Sequence, residues 1–342
     1  MKTSTMVTNQ KHCSKTIYNI IFIVTLIFIT HQSFGQTIMD TSINYIHQAP
    51  ESFKAKAVRS FLAMIRANKI LERMMTKDKI NQKAASIPRK LRKENLIVVT
   101  EKSGRKIWTI TPKHTTSNKT ILFIHGGAYV LNISSFQWQF VEALIEKTNC
   151  TIVIPDYPLA PSATYKEAYD FVQHVYDELV KQHTSKNLIL MGDSAGGGFI
   201  AGFSQKQRND NKPLPAQVIM LSPWLDISMN NPEISKSVKY DKMLNINGTQ
   251  LAGRAYAGNL DVKNYLVSPI YGDFSGIENI SIFTSTYDLL YADCKKFKDM
   301  MQAANIPINY FEYPKMIHGW MIVSGLKESK SAVTQIAKLI NQ

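Results

Sequence analysis

From about residue 95 onward the chain repeats one pattern: a short apolar, β-rich run, then a stretch with apolar residues at helical spacing. A run that is apolar at nearly every position must be covered on both faces, which parallel strands flanked by helices achieve. Eight runs are predicted as strands: NLIVV (95–99), KIWTITP (106–112), TILFIH (120–125), CTIVIPDY (150–157), NLILMG (187–192), AQVIMLS (216–222), ISIFTS (280–285) and INYFEYP (308–314). Gly104 reads as the turn of a hairpin joining the first two. Residues 165–182 are the clearest helix, with Ala168, Phe171, Val172, Val175 and Leu179 on one face. The expected fold class is α/β, a mainly parallel, twisted eight-stranded sheet flanked by helices. At 342 residues with 44% apolar content the chain can bury a sizeable core, and no internal repeat is visible.

Two segments interrupt the alternation. Residues 52–81 carry Val58, Phe61, Leu62 and Ile65 at helical spacing ahead of the first strand, and residues 228–265 form an insertion before the strand at 280. Such segments either fold over an active site as a lid or lie at the periphery, and pattern alone leaves both open.

The first 35 residues read separately. Lys2, Lys11 and Lys15 precede the apolar run IIFIVTLIFIT (20–30), and the small residues Ser33 and Gly35 follow, a secretory signal pattern with cleavage expected after Gly35. The run is shorter than the roughly 20 residues that span a bilayer, so export is the expectation, with tethering through an uncleaved segment as the alternative. Cys13 lies before the run, not at a lipidation point. The formal charge of +14 falls to +11 when these three lysines are removed, no acidic residue being lost with them. The surplus is richest over residues 54–93. No nucleic-acid motif accompanies it, which favours a solvated helix face; peripheral contact with an anionic membrane surface remains open.

The segment NLILMGDSAGGGF (187–199) runs from a strand through Gly192, Ser194 and Gly196 into a helix, the G-x-S-x-G arrangement of a nucleophile elbow. A serine on so sharp a turn needs strained backbone angles, and its neighbours at minus two and plus two must lack side chains for strand and helix to approach. ILFIHGGAYVLN (121–132) is a second strand entering a glycine turn. Its amides at Gly126, Gly127 and Ala128, with that of Ala195, are candidate donors to a developing oxyanion. His125 is expected to bond the loop's own backbone. His318 in YPKMIHGW and Asp288 in FTSTYDLLYAD each follow a predicted strand, giving the chain order Ser194, Asp288, His318. Asp293 and Asp226 are rival acids, more simply read as surface or capping carboxylates.

Taken together, HGGAY, DYPLAP, GDSAGG, SPWLD, YDLLYAD and MIHGW resemble the hormone-sensitive-lipase-like branch of the α/β-hydrolase esterases, from about residue 50 to the end. The resemblance implies a helical cap built from residues 36–94 and the insertion at about 228–265, over a catalytic domain at 95–342. It implies hydrolysis of carboxylic esters with short to medium acyl chains by a Ser194–Asp288–His318 triad, with Gly126, Gly127, Ala128 and Ala195 around the oxyanion. The third glycine usual in that loop is Ala128 here, and the acid is followed by Leu289 where proline is usual. In the family's strand order the strands beside Cys150 and Cys294 are not neighbours, which predicts two free thiols. Tyr129, Trp224, Tyr240 and Met243 are candidates to line the substrate pocket, a core role being the alternative. No C-x-x-C pair, H-E-x-x-H helix or G-x-x-x-x-G-K loop is present, so no metal or cofactor is implied; the implied partner is a small-molecule ester. Amide or peptide hydrolysis by the same triad, and ligand binding without catalysis, stay open.

Overall fold

A computed structural model describes residues 42–77 and 79–342; the expected signal peptide lies outside the described residues. Strand β1 (Asn44–Ile46) opens the described chain, followed by helix α1 (Phe53–Met64), a 3-10 turn (Ala67–Lys69), α2 (Ile70–Thr76) and α3 (Arg89–Glu94). Next come β2 (Asn95–Lys102), β3 (Arg105–Pro112), β4 (Thr120–Ile124), α4 (Ser135–Thr148), β5 (Thr151–Pro155), α5 (Tyr165–Gln182), β6 (Leu188–Asp193) and α6 (Ala195–Asn209). The last part holds β7 (Gln217–Leu221), α7 (Ile246–Ala257), β8 (Ile280–Thr284), α8 (Tyr291–Ala303), β9 (Ile308–Glu312) and α9 (Lys327–Asn341).

The strands form one sheet in the order β1-β9-β8-β7-β6-β4-β5-β3-β2. Among the described residues only the β2–β3 and β3–β5 pairings are antiparallel. All eight predicted runs are strands, but among the described residues the sheet has nine. The ninth, β1, is three residues long and lies parallel to β9, too short to show any periodicity. Its place is set by long-range bonds, Tyr310 N to Ile43 O at 2.7 Å and Ile43 N to Asn309 Oδ1 at 3.0 Å.

Strand alternation sorts the core into two layers. Leu122, Ile124, Val153, Leu190, Val218, Met220, Ile280 and Ile282 point to the face covered by α5, α6 and α8. Ile121, Phe123, Ile152, Ile154, Ile189, Met191, Ile219 and Leu221 point to the face covered by α4 and α9. Both faces are apolar because both are covered, which is why these strands read as unbroken apolar runs. Cys150 and Cys294 are buried and free.

The expected helix at 52–81 is divided. Arg66 stands in the left-handed region at φ 52°, ending α1 before the 3-10 turn and α2 begin. Within the later insertion, α7 packs on α2 so closely that a Cβ on Gly248 would lie 2.7 Å from Glu72 N. Asn245 Nδ2 also donates to Asn68 O across this contact. The two segments that break the strand–helix alternation therefore pack against each other.

Candidate active site

Ser194 joins β6 to α6 at φ 53° and ψ −119°, a conformation that costs about 1–3 kcal/mol and persists only where its surroundings enforce it. Its amide donates to Leu221 O at 2.8 Å, and its carbonyl accepts from Gly198 N at 3.1 Å and Trp224 N at 2.9 Å. The glycines are required by space: a Cβ on Gly196 would lie 1.9 Å from Ile124 O, and one on Gly192 would lie 2.5 Å from Gly196 C. The elbow can therefore press against the end of β4, where the second glycine loop begins.

That loop is fastened by Asp193, the residue before the serine. Asp193 Oδ1 accepts from Gly126 N at 2.9 Å, and Gln137 Nε2 donates to Oδ1 and Oδ2 at 3.1 and 3.0 Å. Burial pushes the Asp193 carboxyl above its ordinary pKa, and these bonds offset part of that cost. Gln137 Oε1 meanwhile accepts from Ser134 N and Oγ, at 2.7 and 2.9 Å, closing the capping box of α4. The backbone then turns through Gly127 at φ 123°, Ala128 at 54° and Tyr129 at 62°. The Gly127 carbonyl takes the amides of Val130 and Leu131. The amides of Gly127, Ala128 and Ala195 find no acceptor among the described residues. Gly126 differs from expectation: its amide is committed to Asp193, so it anchors the loop and is not free to meet an oxyanion.

His318 follows β9 and brings the rest together. Its Nε2 lies 2.8 Å from Ser194 Oγ and its Nδ1 2.8 Å from Asp288 Oδ2. Asp288 is fully buried, and its Oδ1 accepts Leu290 N at 2.9 Å. Burial of the imidazole lowers its pKa, but the facing carboxylates of Asp288, Asp241 and Asp193 outweigh that and hold it above the ordinary histidine value. Nδ1–H donating to a carboxylate leaves the Nε2 lone pair toward the serine hydroxyl. The loops are tied as well, Ser285 Oγ donating to Met316 O and Lys315 N to Thr286 Oγ1. The sequence thus brings Ser194, Asp288 and His318 within hydrogen-bond reach from three separate strand ends. His125 is fully buried with Nδ1 2.8 Å from Gly126 O, a position that requires the donating tautomer; burial pushes its pKa down to about 4, so it is neutral.

A match to a family model described as the alpha/beta hydrolase fold covers residues 121–322, more than half the chain, including all three residues of this meeting. The chain belongs to the α/β-hydrolase fold family. Over 222 residues it is 28% identical to a triacylglycerol lipase of Mycobacterium tuberculosis, covering 65% of this chain and 46% of the lipase. It thus spans about half the length of that relative. Over 226 residues it is 26% identical to an esterase of Acinetobacter venetianus, covering 65% of this chain and 75% of the esterase. The crystal structure of the HSL-homolog EstE7 from a metagenome library matches with a TM-score of 0.72 at 22% identity, over 85% of this chain and 99% of that one. At that identity the likeness is one of fold.

In this α/β-hydrolase several residues sit differently from their sequence reading. Asp226 and Asp293 are buried rather than surface carboxylates. Asp226 accepts from Ser228 N and Tyr271 OH; Asp293 accepts from Asn231 Nδ2, and burial pushes its pKa up to about 6. Neither meets His318. Tyr129 and Trp224 are each 1% exposed and belong to the buried core. The Tyr129 ring stacks on Tyr256 at 3.6 Å and on Trp224 at 5.6 Å. Tyr240 is half-exposed and lines a cavity of about 760 Å³ with Thr286, Tyr287 and Met300, beyond the Asp288 loop. Met243 is half-buried against the cluster that contains Met316 and Ile317.

Three residues of the site were missed. Asp193 stands beside the serine, and Ser134-x-x-Gln137 is a legible capping box; their joining across 56 residues is not legible. Asp241, in the insertion, carried no signal at all.

Proposed function

We propose that this α/β-hydrolase is a serine carboxylesterase of the hormone-sensitive-lipase-like branch, acting on short to medium acyl esters through an acyl-enzyme. The observation that carries this reading is the pair of 2.8 Å contacts placing His318 between Ser194 Oγ and Asp288 Oδ2, beside the unpartnered amides of Gly127, Ala128 and Ala195. In this mechanism Ser194 Oγ attacks the ester carbonyl while His318 Nε2 takes its proton. Asp288 holds the imidazole's tautomer and stabilises the imidazolium. Negative charge moving onto the carbonyl oxygen meets the three amides, each donor of this kind being worth about 3–4 kcal/mol. His318 then protonates the departing alcohol, and water attacks the acyl-enzyme by the same route in reverse. The named lipase and esterase relatives support the ester as the bond broken.

The test is a p-nitrophenyl ester series graded by acyl length, with an anilide substrate in parallel and Ser194→Ala as control. Ester turnover that favours short to medium chains and vanishes in the variant is expected. Anilide turnover exceeding ester turnover would replace esterase by amidase, and tight ligand binding with neither turnover would make the protein a receptor.

We also propose export with removal of the first 35 residues, checked by N-terminal sequencing of protein recovered outside the cytoplasm. The exposed Phe53, Phe61 and Met64 beside Lys54, Lys56 and Arg66 support peripheral contact with an anionic membrane. Salt-sensitive partition onto phosphatidylglycerol vesicles, weakened in Phe61→Ser/Met64→Ser, is the expected result.

A further inference from the structure

Two consecutive residues of the 228–265 insertion hold the Asp288 loop at both of its flanks. Tyr240 lays its ring on Tyr287, centroids 4.5 Å apart and planes within 3°. Asp241 Oδ2 accepts the amide of Leu289 at 2.8 Å. Asp288 lies between these two fastenings. The other oxygen, Oδ1, accepts the amides of Met243 at 2.7 Å and Leu244 at 2.8 Å, just before α7. One carboxylate therefore joins the approach to α7 with the loop that carries the acid. The Tyr287 ring also lies under the guanidinium of Arg59 from α1, 5.1 Å from its centroid, so both off-sheet segments reach this loop.

The site is an expensive one for a charge. Asp241 is 1% exposed, and burial first, then the facing Asp288, push its pKa up to about 6. An asparagine could cap Met243 and Leu244 without that cost. What a carboxylate adds here is a further acceptor for Leu289 and, besides Asp288 and Asp193, another negative charge facing His318. The charged groups facing His318 are Asp288 from the β8–α8 loop, Asp241 from the insertion and Asp193 from the end of β6; those facing Asp241 are Asp288 and His318.

Resting on the hydrolase reading above, we propose that Asp241 is a positioning residue: it couples the insertion to the acid loop and, with Asp288, stabilises the imidazolium formed when Ser194 gives up its proton. Packing of the insertion and placement of the acid loop thus depend on the same carboxylate.

The experiment compares full-length wild type with Asp241→Asn on p-nitrophenyl acetate, measuring kcat and KM from mildly acidic to mildly alkaline pH. Active sites are counted with a fluorophosphonate so that rates refer to competent enzyme. The expected result is a kcat lower by about 10- to 100-fold, as for lost outer-shell partners elsewhere, with KM little changed. The acidic limb of kcat/KM should move to lower pH, since removing a facing carboxylate lowers the imidazole pKa. A merely structural cap would reduce the active fraction and leave the limb of the remaining sites in place; that outcome overturns the proposal. Asp241→Ser, also neutral and able to accept from the amides of Met243 and Leu244, must shift the limb in the same direction. Should neither variant fold, Tyr240→Leu at its half-exposed position reads the other fastening, and an unchanged kcat there overturns the coupling. Turnover retained in Ser194→Ala would bring down the hydrolase reading itself. An inactive Ser194→Ala beside an Asp241→Asn identical to wild type would bring down only this inference.

Discussion

Replacing Asp193 by asparagine should damage the site through hydrogen-bond parity. The carboxylate accepts from two donors, Gly126 N and Gln137 Nε2, the latter reaching both oxygens. Asparagine keeps one acceptor and turns the other into a donor. With its oxygen toward Gly126, its Nδ2 faces Gln137 Nε2, donor against donor. Gln137 cannot turn over to help, because its Oε1 already holds Ser134 N and Oγ at 2.7 and 2.9 Å. One buried donor is orphaned either way, at about 1–3 kcal/mol. Relief of the buried charge offsets part of this, leaving about 1–2 kcal/mol lost in denaturant unfolding. Because Gly126 begins the loop that presents the Gly127 and Ala128 amides, displacement near 1 Å should also cost up to about 100-fold in kcat. Gln137→Glu alone sets a second buried carboxylate against Asp193 and should be worse. In Asp193→Asn/Gln137→Glu the new glutamate accepts from Asn Nδ2 with one oxygen and from Ser134 with the other, so every donor is paired again and a single charge remains, although the contact from Gln137 Nε2 to Asp193 Oδ1 is not replaced. The double variant should therefore recover at least about 1 kcal/mol relative to the summed single effects, read in both unfolding midpoint and kcat/KM. If the double-mutant cycle is additive within about 0.5 kcal/mol, the parity argument is wrong.

Other outcomes follow from the same geometry. Gly196→Ala puts a Cβ 1.9 Å from Ile124 O, so it should cost at least the upper end of about 1–3 kcal/mol and abolish activity; an active, equally stable variant would refute the close-approach argument. Ala128→Gly releases a left-handed φ of 54° but loosens the unfolded chain, so stability should change by under about 1 kcal/mol. Its acyl-length profile should broaden toward bulkier esters, and an unmoved profile shows that the methyl does not limit the pocket. The His318 pKa lies above the ordinary value of 6.5, and only the neutral imidazole can accept the serine proton. Wild-type kcat/KM should therefore fall as pH drops through a value above 6.5; a limb below that value contradicts the carboxylate cluster.

Most of the scaffold was legible along the chain because each signal was local. Buried parallel strands advertise themselves as apolar runs, and Gly192-x-Ser194-x-Gly196 states its own steric need. The place of His125 in its loop points to a backbone bond, and its Nδ1 meets the neighbouring carbonyl. Signals spread over distance were not legible. Three residues of β1 have no period to detect, and pairing with β9, from Asn309 to Glu312, gives them a place. Tyr129 and Trp224 sit beside functional segments but pack in the core, where the Tyr129 ring stacks on Tyr256 and Trp224.

The sequence by itself determined which residues can be strand, elbow and glycine turn, because backbone sterics and side-chain period act over a few neighbours. Tertiary structure alone decided which polar groups distant along the chain share a bond. Gly126 was committed to Asp193, Asp226 to Ser268 and Tyr271, Asp293 to Asn231, and Asp241 to the amide of Leu289 beside Asp288. Hydrogen bonds and buried charges depend on distances of about 3 Å between residues tens or hundreds of positions apart, and only the folded chain sets those distances.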